Sequence, residues 1–402
     1  MEKIILLSID LLENIHLVPE KGNPITVIDN FVKNITDENC GIIFYSSKQN
    51  RVEEFENRYS FLQHKYPKQV VFKLRVNIQK WIKRLNEARK SGIIVIGTQE
   101  LHFRDAVNDK LLFITPTWLP CHEQAQKYGI KVHSLSQIEQ LVNTLVNQKT
   151  WYSTIELPDG TKVISLSDAR SYPKYAKTVE EREIVNLFRS ILKDGTTTMY
   201  EVYLYHFLAA MNNNKELFYD INDWGCFPTS KSDSIEQCEM YKFKEVVRNM
   251  MKGGTPRNDL YKAYPNILLR HTTNNKSRTK DYSDRINEGC TTHFDTVCIN
   301  PAYIKKLKGR NVCIFDDYLT HGNSFECARN LLRSAGVNKL VFVTLGRFPY
   351  PYQYQEYMLT GDIYGDEYTY RLKGRSVMNT FKVDSRAKKE VENLYNIFNI
   401  DK

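Results

Sequence analysis

The sequence has no apolar run that approaches the roughly 18 to 20 residues a membrane-spanning helix needs, so no membrane association is expected. It also lacks any block of Lys or Arg, and its net charge of +9 is spread along the chain. Dispersed charge excludes a basic nucleic-acid arm; nucleic acid stays compatible with the sequence but is not indicated, and a mild basic excess suits a protein that binds phosphorylated small molecules. Repeats and low-complexity tracts are absent, which with 42% hydrophobic and 26% charged residues places the chain among ordinary globular proteins. The eight cysteines (Cys40, Cys121, Cys226, Cys238, Cys290, Cys298, Cys313, Cys327) form neither a C-x-x-C pair nor a Cys/His cluster at zinc spacing. Reduced thiols in a cytoplasmic protein are the expectation. The opening MEKIILLSIDLL has no basic region before its apolar run and no small-residue cleavage site after it, so it predicts a first buried strand and not a signal peptide.

What is present divides into two parts, as 402 residues at roughly 100 to 200 residues per domain would suggest. Over residues 1–148, short apolar runs (IILLSI, GIIFYSS, VVFKLRV, SGIIVIGT, KLLFITP) alternate with amphipathic segments and close on the helical SLSQIEQLVNTLVNQ. That alternation predicts a mainly parallel α/β sheet flanked by helices. Residues 149–180 hold two alternating runs around Pro158-Asp159-Gly160-Thr161, read as a hairpin and linker. Residues 181–402 predict a second α/β unit, with strands at LFYDI, ILLRH, NVCIFDD and KLVFVTLGRF. In such sheets ligands bind at the carboxyl ends of the strands.

The segment NVCIFDDYLTHGNS, residues 311–324, carries the most chemistry. Four apolar residues lead into Asp316 and Asp317, and a turn then enters a helix. Free N–H groups at a helix start, the helix dipole and a glycine that lets the backbone approach closely together make an anion site. Thr320 and Ser324 add hydroxyl donors. Two adjacent carboxylates before a phosphate cradle repel one another unless a sugar diol or a bound Mg²⁺ relieves them. A capped strand-to-helix connection would account for the aspartates and glycine alone, but not for the whole strand-loop-helix context.

The segment resembles the signature of type I phosphoribosyltransferases that binds 5-phosphoribosyl-1-pyrophosphate (PRPP): four apolar residues, then D-D-x-x-T-T-G-x-T/S. His321 stands where the second threonine belongs. The resemblance implies that Asp316 and Asp317 hold the ribose hydroxyls, with Mg²⁺ at the same pair, and that Thr320, His321, Gly322, Asn323 and Ser324 wrap the 5-phosphate. ILLRHTTNNKSRTKDYSDRINEGCTTHF resembles the competence-protein-F branch of that family, with Arg270, Thr272, Arg285, Asn287 and a strand residue Phe294 in the matching places. CFPTSKS resembles its pyrophosphate loop, which brings in Thr229, Ser230, Lys231 and Ser232. Lys231 and Arg270 are the cations implied for the pyrophosphate, and Arg285 a further ligand contact. The tyrosine-rich segment 349–372 falls outside the resemblance.

The first part is similar in the order of its segments to haloacid-dehalogenase-like phosphatases. Asp10 and Ser46 or Ser47 match, Leu12 stands where the second aspartate belongs, and Thr98 and His102 replace the metal-binding acids, with Glu100 and Asp105 nearby. Leucine cannot protonate a leaving group, so a phosphatase-like domain without activity is implied. The combination resembles a bacterial architecture associated with stress response and phage defence. Two functions follow as expectations: an enzyme transferring phosphoribose from PRPP to an acceptor, or a PRPP- or nucleotide-sensing subunit that docks a protein partner or a second copy of itself.

Overall fold

The computed structural model describes residues 3–147, 150–170, 173–175, 178, 179, 181–184, 186, 198–230, 239–251, 266–273, 287–379 and 381–399. The first sheet contains β1 (Ile4–Ser8), β2 (Gly41–Ser46), β3 (Val70–Leu74), β4 (Ile93–Ile96), β5 (Leu112–Pro116) and β6 (Ile130–Val132), in the order β3-β2-β1-β4-β5-β6. Every neighbouring pair in it is parallel. Its central strands are near-continuous apolar runs because helices cover both faces, so alternate residues have no solvated side to occupy. All four residues of β4 are buried.

The second sheet is mixed, in the order β16-β7-β8-β13-β12-β9. Its members are β7 (Ser153–Glu156), β8 (Lys162–Asp168), β9 (Asp223–Cys226), β12 (Asn311–Leu319), β13 (Lys339–Arg347) and β16 (Lys382–Val383). Strands β8, β13, β12 and β9 run parallel, and β7 and β16 are antiparallel to their neighbours. The hairpin expected around Pro158-Asp159-Gly160-Thr161 is thus β7 and β8, two strands of this sheet. Gly160 takes φ +81° in its turn, where a side chain would be strained. Two smaller antiparallel pairs stand apart: β10 (Leu268–Arg270) with β11 (Val297–Ile299), and the ribbon of β14 (Tyr352–Gly361) with β15 (Tyr368–Met378).

Three expectations need correction. LFYDI is not a strand: Leu217 and Phe218 end the short helix Lys215–Phe218, and the strand comes later as Asp223–Cys226. Its weak apolar signal has a packing cause, since a Cβ on Gly225 would lie 2.8 Å from Ile314 and 3.2 Å from Ile267. Leu268–Arg270 pairs with β11 outside the main sheet. Phe294 ends the helix Thr291–Phe294 instead of lying in a strand, because its ring packs against Tyr357 and Tyr370 at 5.0 Å each.

One hydrophobic cluster runs from the first sheet through the helices Thr198–Asn213, Glu239–Met250 and Arg386–Asn399 to one face of the second sheet. A second cluster fills the opposite face under the helix Asn323–Ser334 and the ribbon. Polar ties cross between the parts: Lys3 Nζ donates to Asn213 Oδ1 at 2.7 Å, and Gln137 Nε2 to Ile397 O at 3.1 Å. No helix among the described residues is long and apolar enough to cross a membrane.

Candidate functional site at the carboxyl edge of the second sheet

Strand β12 is buried from Val312 to Phe315 and then surfaces. Its ladder with β9 ends at Phe315, where the Phe227 amide donates to Phe315 O at 2.7 Å, while its ladder with β13 continues to Leu319. Asp316 and Asp317 are therefore still within the strand and are bare only on the β9 side. Asp316 is half-buried and Asp317 exposed. Burial, and then the neighbouring Asp317 carboxylate, push the Asp316 carboxyl well above the usual carboxylate range, and a hydrogen bond with Ser324 partly offsets this. A pair so disposed gains from any cation or diol that satisfies its oxygens.

The turn that follows enters the helix Asn323–Ser334 with Gly322 at its N-cap, φ +87°. A Cβ on Gly322 would fall 2.3 Å from the Tyr352 ring. The glycine requirement thus comes from the protein's own packing beneath the loop as well as from the backbone conformation. His321 is buried against Tyr350, ring centroids 5.1 Å apart, and its carbonyl accepts the Gln353 amide at 2.9 Å. The tyrosine-rich segment is the floor of this loop. Tyr352 Oη donates to Glu326 Oε1 at 2.7 Å, the Gln355 amide to Glu326 Oε2 at 2.7 Å, and Gln355 Nε2 to Asn323 Oδ1 at 3.0 Å.

A cavity of about 450 Å³ opens at this edge. It is lined by Asp316, Asp317, the whole turn Thr320–Ser324, and, from the loop after β9, Thr229 and Ser230. Arg270 lines it too, but its guanidinium is heavily committed: Nε donates to Thr229 O, Nη1 to Thr296 Oγ1 and Nη2 to Pro228 O at 3.4 Å. Its first role is to shape the 228–230 loop. Thr272 is exposed and not among the lining residues, while Lys231, Ser232 and Arg285 lie outside the described residues. The lining also holds Glu288, Thr292, His293, Tyr318 and Phe348, which no local pattern marks. Among the described residues no group of three or more His, Cys, Asp or Glu could hold a metal. The two aspartates fit Mg²⁺ in the mode where one or two carboxylates share it with ligand oxygens.

No family model, no curated protein and no solved structure matches the chain.

The carboxyl edge of the first sheet is different in kind. Asp10 follows β1, Ser46 ends β2 and Thr98 follows β4. Asp10 pairs with Arg51 at 3.0 Å; Asp105 takes two bonds from Arg75 at 2.6 Å and one from Gln79 at 2.7 Å. Glu100 lies 3.7 Å from His122, and Leu12 is buried. Burial lowers the His102 imidazole, and its Nδ1 accepts the Gln99 amide at 3.3 Å. Arginines thus pair with both Asp10 and Asp105 at this edge.

Proposed function

We propose that the second-sheet cavity binds PRPP with Mg²⁺, and that the protein is a phosphoribosyltransferase-like enzyme acting on a small acceptor. One observation carries the reading: the paired aspartates, the phosphate turn and the Thr229–Ser230 loop, 86 or more residues apart in sequence at Ser230 and Asp316, line the same cavity of about 450 Å³. That volume suits a small phosphorylated ligand. The turn Thr320–Ser324 and the start of its helix receive the 5-phosphate, Asp316 and Asp317 take the ribose hydroxyls, and Thr229 and Ser230 face the pyrophosphate. Bound Mg²⁺ supplies charge neutralisation on the departing group. The C1–O bond breaks with its electron pair leaving on pyrophosphate, and the acceptor's lone pair forms the new bond to C1.

The decisive experiment incubates the full chain with PRPP, Mg²⁺ and a metabolite extract, and follows pyrophosphate and ribose 5-phosphate. Release of pyrophosphate that depends on an acceptor supports transfer. Tight PRPP binding without turnover would leave a sensing role, and absence of binding would remove the reading. The first-sheet domain is read as phosphatase-like and inactive, because Leu12 stands where the general acid belongs, and Arg51 and Arg75 pair with Asp10 and Asp105. No Mg²⁺-dependent hydrolysis of p-nitrophenyl phosphate is expected, and hydrolysis that disappears in Asp10→Asn would overturn this.

A further inference from the structure

His293 stands in the helix Thr291–Phe294, lines the cavity, and sets its ring edge-on against Phe227 with centroids 5.2 Å apart. Its backbone is held on both sides. The His293 amide donates to Cys290 O at 3.0 Å, and the Thr296 amide donates to His293 O at 3.0 Å. Thr296 Oγ1 also receives Arg270 Nη1, and Arg270 Nε reaches Thr229 O. Arg270 therefore braces the His293 helix against the Thr229–Ser230 loop, making one unit of the β9 side of the cavity.

The ring's chemistry follows from its surroundings. Burial, and then the Arg270 cation, hold the imidazole down to about 3, so it is neutral throughout the physiological range. Nδ1 is buried with no hydrogen-bond partner among the described residues. A proton on Nδ1 would be a stranded donor, so the neutral ring is better served by carrying its proton on Nε2, where it can be given to a ligand. Arg270 beside it has spent Nε, Nη1 and Nη2 on protein oxygens.

We infer that His293 binds the pyrophosphate arm of the ligand, its Nε2–H donating to the oxygens that Thr229 and Ser230 face. This rests on the PRPP reading of the cavity. As the C1–O bond breaks and charge gathers on the departing oxygen, this hydrogen bond strengthens while the proton stays on the ring. The acceptor's lone pair closes the bond to C1, and no other group is oxidised or reduced.

The test is calorimetry on the full chain with Mg²⁺ and inorganic pyrophosphate, and separately with ribose 5-phosphate, on wild type, His293→Phe and His293→Gln. Phenylalanine keeps the ring against Phe227 and removes both nitrogens; glutamine restores an N–H donor. The expected result is pyrophosphate weakened about tenfold or more in His293→Phe, the size of a hydrogen bond to a charged group, and largely recovered in His293→Gln, with ribose 5-phosphate unchanged in both. Unchanged pyrophosphate affinity in His293→Phe, with ribose 5-phosphate still bound, would overturn the inference and leave the PRPP reading standing. Equal loss of both ligands would also overturn it, by showing a structural role. Wild-type protein that binds neither ligand would overturn the PRPP reading itself.

Discussion

Gly322 concentrates two constraints in one residue: φ +87°, and no room for a Cβ above Tyr352. A side chain there costs about 1 to 3 kcal/mol in backbone strain, and the buried Tyr352 ring must shift as well. Gly322→Ala is therefore expected to lower the unfolding temperature and weaken ribose 5-phosphate together, by thermal unfolding and calorimetry. Loss of neither would show that the turn tolerates a different backbone. Asp316 offers a second test. A carboxyl raised in the folded state binds more protons there than in the unfolded chain, so wild-type stability falls as pH rises from the ordinary carboxylate range toward the raised value. Asparagine does not titrate. Asp316→Asn should gain on wild type as pH rises from about 4 toward neutrality, read as a growing difference in unfolding midpoints. A difference that stays constant with pH would mean that Asp316 titrates normally.

At the scale of elements, the helix Asn323–Ser334 and the ribbon are locked through buried charge. Glu326 Oε2 meets Arg329 Nη2 at 2.7 Å, and Arg329 Nη2 also donates to Gln355 O at 2.6 Å. Asn330 Nδ2 reaches Gln355 O at 2.9 Å, and the Tyr357 amide donates to Asn330 Oδ1 at 2.8 Å. Removing one member of such a pair leaves the other charge buried, a loss of about 3 to 5 kcal/mol. Glu326→Ala should show a loss of that order in urea unfolding. It should also weaken phosphate binding, because the same carboxylate receives Tyr352 and Gln355 beneath the loop. A fall of less than about 1 kcal/mol, the scale of an exposed pair, would show that the lock is not a stabilising unit.

At the scale of the molecule, the two sheets share one apolar core. Lys110 Nζ donates to Tyr219 O, and Asn212 Nδ2 to Ser91 O at 2.8 Å. The Tyr205 and Phe398 rings lie 4.8 Å apart beside the first sheet's closing helix Leu135–Asn147. A core shared between the two sheets couples their unfolding, so one transition is expected even though the chain exceeds the size at which two-state unfolding is the rule. Urea curves followed by tryptophan fluorescence, from Trp81 and Trp118 in the first part and Trp151 and Trp224 in the second, should coincide with those from far-ultraviolet circular dichroism. Two separated transitions would show that the parts are thermodynamically independent despite the shared core.

Local pattern determined much of this protein. The parallel first sheet follows from apolar runs spaced by amphipathic segments, and the strand, aspartate pair, glycine turn and helix of residues 311–334 follow from nearest-neighbour chemistry. The hairpin turn around Gly160 was legible for the same reason. What tertiary structure alone decided concerns partners distant in sequence. Asp223–Cys226 is a strand because it extends the ladder of β12, with Gly225 admitting Ile314 and Ile267; its own residues show no strand periodicity. The segment after Pro349 became the floor of the turn Thr320–Ser324 because Tyr352 fills the space under Gly322, and a tyrosine does not announce which glycine it will meet. His293 and Arg270 come together through Thr296 and the loop after β9, contacts that have no period along the chain. A motif's backbone is set within a dozen residues, whereas the wall opposite it is set by whatever the fold brings there.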